Sequence, residues 1–288
     1  MMPIRLLALD LDGTLLDSRG EISARNRRAI AEARRRGVRI ALVTGRRFRD
    51  ARPIALELDL DDVPVIAHNG ALTKHALTLE TVAVRPLPRE AAHAVLRLGR
   101  ECGAHAMVSD DPHGAGLLVH ERGSERNEEL ARYIAWSRRV VGTDADVRCV
   151  SSLIEYLDHD PVHIAFAGGC ATMGDLGARL ARELKGRVRV VRTFYPKKDF
   201  ALLDIINPEA SKGAGLAAVA AEYGIAREEV MAIGDNFNDL EMLQFAGTSV
   251  VMGNAEPELR GASRFHLTAS NDEDGVALAI EKFILRAE

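Results

Sequence analysis

The chain has 288 residues, 47% of them hydrophobic and 28% charged, enough to bury a core and to form two domains, which excludes intrinsic disorder. A net charge of −4 carries no overall signature of binding to nucleic acid or to an anionic membrane. Three widely spaced cysteines, Cys102, Cys149 and Cys170, argue against a disulfide framework or a zinc site and for a cytoplasmic protein.

The first apolar run, IRLLAL at residues 4–9, is too short for a signal segment or a membrane span and reads as a strand ending at Asp10. The stretch LDLDGTLLD then admits two readings. Asp12-Gly13 between apolar residues is a hairpin signal. Alternatively, Asp10 and Asp12, spaced by two at a strand end, face one space, and like charges so placed call for a cation or a shared proton. The bare D-x-D pattern is weak, because it recurs at Asp59/Asp61, Asp144/Asp146, Asp158/Asp160 and Asp272/Asp274; only the first follows a buried-strand run and precedes Gly-Thr.

Residues 23–36 read as a helix capped by Ser23 and closed by Gly37. Its Arg-rich last turn suits the negative end of the helix dipole, so this basic segment reads as a solvated face rather than a polyanion site. VRIALV forms the next strand and leads to Thr44-Gly45-Arg46, where a hydroxyl and an amide at a helix entrance make either a helix cap or a phosphate cradle. A helix over 48–57 follows, then PVIA leading to His68-Asn69-Gly70.

From about 84 to 192 the rhythm changes. A helix at 89–103, AHAMVS, GLLVHE, a helix at 126–137, VHIAFAG, a helix at 173–184 and RVRVVRT indicate a separate α+β insertion. The nine histidines show no metal-binding motif, and His159 and His163 flank Pro161, which disfavours a shared helical face.

The alternation resumes with FALLDII, then a helix over 211–223 that opens Ser211-Lys212-Gly213. Lys and Gly in a first turn are poor helix design, because the dipole prefers acid there and Gly costs ~1 kcal/mol relative to Ala. An anion beside that turn removes the objection; a solvent-exposed Lys is the alternative. With 32 Arg and only six Lys in the chain, a compact ammonium at this position is notable. VMAI leads to Gly234-Asp235. Asn238 can cap the helix over 239–246 with Glu241 completing a capping box, which leaves Asp235 available to share a hard cation with Asp10. TSVVM ends at Gly253-Asn254. Unbroken apolar runs alternating with helices predict a doubly wound parallel α/β core with ligands beyond the carboxyl ends of its strands. The predicted division is a core over 1–84 and 193–288, interrupted by an inserted cap over 85–192.

Taken in order, Asp10-Leu11-Asp12-Gly13-Thr14, Thr44-Gly45-Arg46, Lys212, and Gly234-Asp235 with Asn238-Asp239 resemble the four motifs of the haloacid dehalogenase superfamily. HNGAL, GDNFNDLEML and VMGNA resemble its Cof-like branch, in which a large α/β cap follows the second motif. The resemblance implies a Rossmann-like core and a Mg²⁺-dependent phosphatase of small phosphorylated metabolites, a sugar phosphate or a phosphorylated cofactor. Asp10 would become an aspartyl-phosphate, and Asp12 would act as general acid and then general base. Asp10, the backbone carbonyl of Asp12, and Asp235 would hold Mg²⁺. Leu11, Thr44, Gly45, Lys212 and Asn238 would hold the phosphoryl group, with Thr14 and Asp239 behind them, Asp239 orienting Lys212 or a metal-bound water. An acid at position 12 counts against dehalogenation. A sugar phosphomutase on the same core and a non-catalytic phosphometabolite-binding protein are the alternatives. His68, Asn69, Phe194 and Tyr195, near the expected joins of core and cap, are candidates for lining the cleft.

Overall fold

A computed structural model describes residues 2–58, 62–110, 112–141 and 147–286, with the backbone alone for 125 and 136–141; the Asp59/Asp61 and Asp144/Asp146 pairs lie outside the described residues. In chain order the strands are β1 (Leu6–Asp10), β2 (Arg39–Val43), β3 (Pro64–Ala67), β4 (Leu72–His75), β5 (Thr81–Val84), β6 (Ala106–Asp110), β7 (Leu117–Glu121), β8 (Val147–Val150), β9 (His163–Gly168), β10 (Arg189–Tyr195), β11 (Phe200–Ile206), β12 (Val230–Gly234), β13 (Thr248–Val251) and β14 (His266–Leu267). They make two sheets, and the chain divides into two compact units.

The first unit comprises Met1–Arg46, Ile54–Ala83 and Ser211–Glu288. Its strand order is β14-β13-β12-β1-β2-β3-β4-β5. Neighbours from β14 to β3 are parallel, and β4 returns antiparallel to β3. Every residue of β1 is buried. Leu6 and Ala8 join a core cluster with Leu216 and Val219 of the helix Lys212–Glu222 and with Met242 and Leu243 of the helix Leu240–Phe245. Leu7 and Leu9 point to the opposite face and are equally buried. Burying each such leucine stabilises the unit by about 1.5–3 kcal/mol, which is why the run is apolar throughout. Chain order reverses at β1, with β2 and β3 on one side and β12 and β13 on the other. The segments that follow these five parallel strands therefore emerge at one edge of the sheet, at the topological switch point where open α/β sheets bind ligands.

Ser23 caps the helix Ala24–Arg35 by accepting from the Asn26 amide at 3.1 Å, and arginines of that helix reach Glu281 and Glu57. Among the described residues no helix is long and apolar enough to cross a membrane.

The second unit comprises Arg47–Pro53 and Val84–Ala210, with a six-stranded sheet in the order β10-β11-β9-β6-β7-β8. One face packs the helices Arg89–Glu101 and Cys170–Glu183 against Val108, Ile164, Phe166 and Leu203. The other carries Met107, Leu118 and Ala165 under Leu130 and Ile134 of the helix Glu128–Val141. His163 is bound by Asp204 at 2.9 Å and by Ser109 at 3.3 Å, and His159 lies between Asp110 and Asp158, so both work in local polar pairs.

Two sequence expectations are corrected here. FALLDII is not a core strand, and the core does not resume at 193. β11 pairs antiparallel with β10 along all seven residues and with β9 on its other side, so the second unit runs on to Ala210. The reason lies in its alternation: Ala201, Leu203 and Ile205 are buried in the core cluster, while Asp204 faces the other way to meet His163. β4, β5, β8 and β14 have no counterpart in the sequence reading.

Candidate active site

After β1 the chain makes a compact turn. The Thr14 and Leu16 amides donate to the Leu11 carbonyl at 3.3 and 2.9 Å, and the Leu15 amide donates to the Asp10 carbonyl at 3.2 Å, a pattern that rules out a hairpin at Asp12-Gly13. Gly13 has φ +83°, and a Cβ there would lie 2.5 Å from Oδ2 of Asp235, so glycine is required for both conformation and space. The Leu11 side chain is fully buried, leaving only its backbone to act. Thr14 donates its hydroxyl to Oδ1 of Asp235 at 2.9 Å. A second turn at Ser18-Arg19-Gly20 is held by Asp17, whose carboxylate accepts the Arg19 and Glu21 amides.

Lys212 lies across the sheet edge from this turn. Ser211 caps its helix by accepting from the Ala214 amide at 3.0 Å. The Lys212 ammonium, 2% exposed, donates to Oδ1 of Asp10 at 2.6 Å and to Oδ1 of Asp239 at 2.5 Å. Gly213 lets this first turn approach Glu241 closely, since a Cβ there would sit 2.7 Å from the Glu241 backbone. The poor helix start is thus explained by buried partners.

Three carboxylates gather around that one ammonium, two of them bonded to it. Burial, with Asp239 close by, pushes the Asp10 carboxyl well above the usual carboxylate range, and Lys212 offsets this only in part. Burial and Asp239 likewise push Asp235 up to about 6, against the bond from Thr14. Burial pulls the Lys212 ammonium down, yet Asp10 and Asp239 together hold it above its ordinary value. Asp10, Asp235 and Asp239 each bring one carboxylate oxygen within 4.8 Å of the others. Oδ1 of Asp239 is engaged by Lys212 and Oδ2 accepts the amides of Asp235 and Asn236, both at 3.0 Å, so Asp10 and Asp235 are the better donors for a cation.

The expected Asn238 helix cap is not formed. Asn236 and Asp239 make the capping box instead, around the short 3₁₀ turn Phe237–Asp239. Asn238 is released by this arrangement and donates from Nδ2 to Oδ1 of Asn69 at 3.0 Å. Thr44 follows β2, and its hydroxyl accepts from the Arg46 amide at 3.0 Å. Gly45 lies under Asn69, with a Cβ position 3.2 Å from the Asn69 amide. Phe194 and Tyr195 sit partly exposed on β10 of the second unit.

Asp12 stands apart from the buried cluster. Its carboxylate is gripped by Arg46, Nε to Oδ2 at 2.8 Å and Nη2 to Oδ1 at 2.6 Å. Neither Arg46 within Thr44-Gly45-Arg46 nor Asn254 after TSVVM carries a role legible in its local sequence. Asn254 donates to the Gly13 carbonyl at 2.8 Å and accepts from the Asn271 amide at 3.0 Å, bracing the turn after β1.

The profile of the haloacid dehalogenase-like hydrolases matches residues 7–280. The chain belongs to that family. Among curated members, 5-amino-6-(5-phospho-D-ribitylamino)uracil phosphatase YwtE of Bacillus subtilis (strain 168) is 30% identical over 292 residues, 98% of each chain. Pyridoxal phosphate phosphatase YbhA of Escherichia coli (strain K12) is 28% identical over 291 residues, 99% of this chain and 100% of its own. The crystal structure of a haloacid dehalogenase-like hydrolase from Bacteroides thetaiotaomicron superposes with a TM-score of 0.81 at 27% identity, covering 97% of this chain and 99% of that one. As a haloacid dehalogenase-like hydrolase the chain has the doubly wound core with an inserted cap, and its acidic cluster lies at the carboxyl edge of that core.

Proposed function

We propose that this hydrolase is a Mg²⁺-dependent phosphatase of small phosphorylated metabolites, working through an aspartyl-phosphate on Asp10. The observation that carries the reading is Lys212, buried and bonded to both Asp10 and Asp239 with Asp235 beside them. Two relatives named for the phosphatase reaction, one on 5-amino-6-(5-phospho-D-ribitylamino)uracil and one on pyridoxal phosphate, support the substrate class.

The donor set fits a hard divalent cation: one buried and one half-buried carboxylate, both with raised pKa values, and a glycine at the point of closest approach. Held by Asp10, the Asp12 carbonyl and Asp235, Mg²⁺ would supply positive charge to the oxygens of the transferring group. Asp10 forms the new O–P bond as the substrate's P–O bond breaks, and Asp12 protonates the departing alkoxide. Water then attacks the phosphorus of the aspartyl-phosphate and gives its proton to Asp12 as the Asp10–phosphorus bond breaks, which releases phosphate and restores the Asp10 carboxylate. Lys212, Asn238, the Thr44 hydroxyl and the amides of Leu11 and Gly45 stabilise charge on the phosphoryl oxygens. Thr14 and Asp239 hold Asp235 and Lys212 in place. Arg46 occupies both oxygens of Asp12, so the acid step requires that pair to part. A cytoplasmic location completes the proposal, consistent with three free thiols.

The test is phosphate release from a panel of phosphomonoesters with Mg²⁺ and with EDTA. Metal-dependent release that D10N abolishes is the expected result. Full activity of D10N removes the nucleophile, and isomerised sugar phosphates without release would identify a phosphomutase.

A further inference from the structure

The loop after β3 is unusual. His68, Asn69 and Gly70 have φ of +50°, +53° and +93°, three successive residues in the left-handed region. The His68 amide donates to the Arg46 carbonyl at 2.9 Å and the Asn69 amide to the Thr44 carbonyl at 3.1 Å, which ties the loop to the segment after β2. Gly70 backs onto the Ser211 carbonyl so closely that a Cβ would collide with it, immediately before Lys212. Asn69, 3% exposed, lies between Gly45 and Asn238.

We propose that Asn69 is a positioning residue of the phosphoryl site. Its side-chain carbonyl fixes the Asn238 amide so that Asn238 turns N–H, and not C=O, toward the anion. The two ends of a carboxamide have nearly the same shape, so packing alone does not choose between them. Facing Oδ1 of Asn69, Asn238 gives it one N–H and keeps the second, whereas Asn238 flipped alone would oppose two acceptor oxygens. Asn also suits this backbone, because among non-glycine residues it tolerates the left-handed region well. The inference rests on the phosphatase reading, in which Asn238 touches the phosphoryl group.

The experiment measures binding of inorganic phosphate by calorimetry with Mg²⁺ present, together with kcat and KM on any turned-over phosphomonoester. The proteins are wild type, N69G, N69A, N238A and N69G/N238A. Glycine keeps the left-handed backbone and removes only the amide; alanine adds strain, so N69A should melt below N69G while sharing its functional loss. Expected are phosphate binding weakened about tenfold in N69G, a fall in kcat larger than the rise in KM, and no further loss when N69G is added to N238A. If N69A does not fold, N69G, the less strained variant, carries the comparison. Wild-type phosphate affinity in the folded variant, or losses that multiply in the double variant, overturns the role of Asn69 while the phosphatase reading stands. A wild-type protein that neither binds phosphate nor turns over the panel overturns both.

Discussion

Replacing Lys212 with Met keeps the side-chain volume and removes the ammonium that Asp10 and Asp239 share at 2.6 and 2.5 Å. Deleting one partner of a buried ion pair costs about 3–5 kcal/mol, because the other charge stays buried. Here two carboxylates lose their partner, so K212M belongs at the upper end of that range where both are ionised. The protein has an escape, since Asp10 already holds its proton more tightly than an ordinary carboxyl, and without Lys212 it does so further. A carboxyl whose folded pKa lies above its unfolded value of about 3.9 binds more proton in the native state, so its contribution to stability falls as pH rises between those values. The loss in K212M should therefore be small at pH 5 and reach about 3–5 kcal/mol at pH 8. Urea denaturation of both proteins at the two pH values in EDTA measures it. Equal losses at both, or a loss under about 1 kcal/mol at pH 8, would refute the shared-charge account.

G13A adds a Cβ at φ +83°, 2.5 Å from Asp235, and should cost roughly 1–2 kcal/mol in backbone strain while displacing a proposed metal ligand. A Mg²⁺ titration of activity should therefore shift to higher concentration, and wild-type Mg²⁺ dependence would count against Asp235. R46M breaks a pair in which Asp12 is 58% exposed, so melting should change by only about 0–1 kcal/mol. Because the acid step proposed for Asp12 requires that pair to part, the kcat of R46M should be unchanged or higher, and a fall in kcat would refute that requirement. Burial pulls the His75 imidazole pKa down, but Glu222 and Asp62 raise it above its ordinary value. The His75–Glu222 bond thus stabilises fully below about pH 6.5 and weakens as pH rises through the folded pKa. E222Q should accordingly lose more stability at pH 5.5 than at pH 8.5 in paired urea titrations, with a loss near 1 kcal/mol.

The core strands were readable because each is a run of apolar residues buried on both faces, ended by a polar cluster. β11 misled for the same reason: FALLDII is nearly as apolar, and only Asp204 marks it as a strand with one polar-facing side. β4 escaped notice because Thr73, Lys74 and His75 are buried, against their usual preference for the surface. Asp10, Lys212 and Asp235 were readable as charges with no local structural purpose. The local sequence also allows Asn238 to be a helix cap, a place that Asn236 takes instead, because sequence alone does not choose between two asparagines so close together. The grip of Arg46 on Asp12 and the contact of Asn69 with Asn238 depend on how separate loops meet, which no periodicity records.

The pairing of β1 with β12 has a consequence for how the molecule comes into being. Thr14 and Asp235 touch although 221 residues separate them, and Asp10 meets Lys212 across 202. During synthesis the ribosome releases Asp10, the proposed nucleophile, long before its partners, so a nascent chain stopped after β11 still lacks Lys212 and Asp235. Closing so long a loop costs little more than closing a shorter one, because the entropy grows only with the logarithm of length. Contacts this distant in sequence nevertheless slow folding. An intervening unit with its own core and its own sheet eases the search if it condenses first, because less flexible chain then separates β1 from β12.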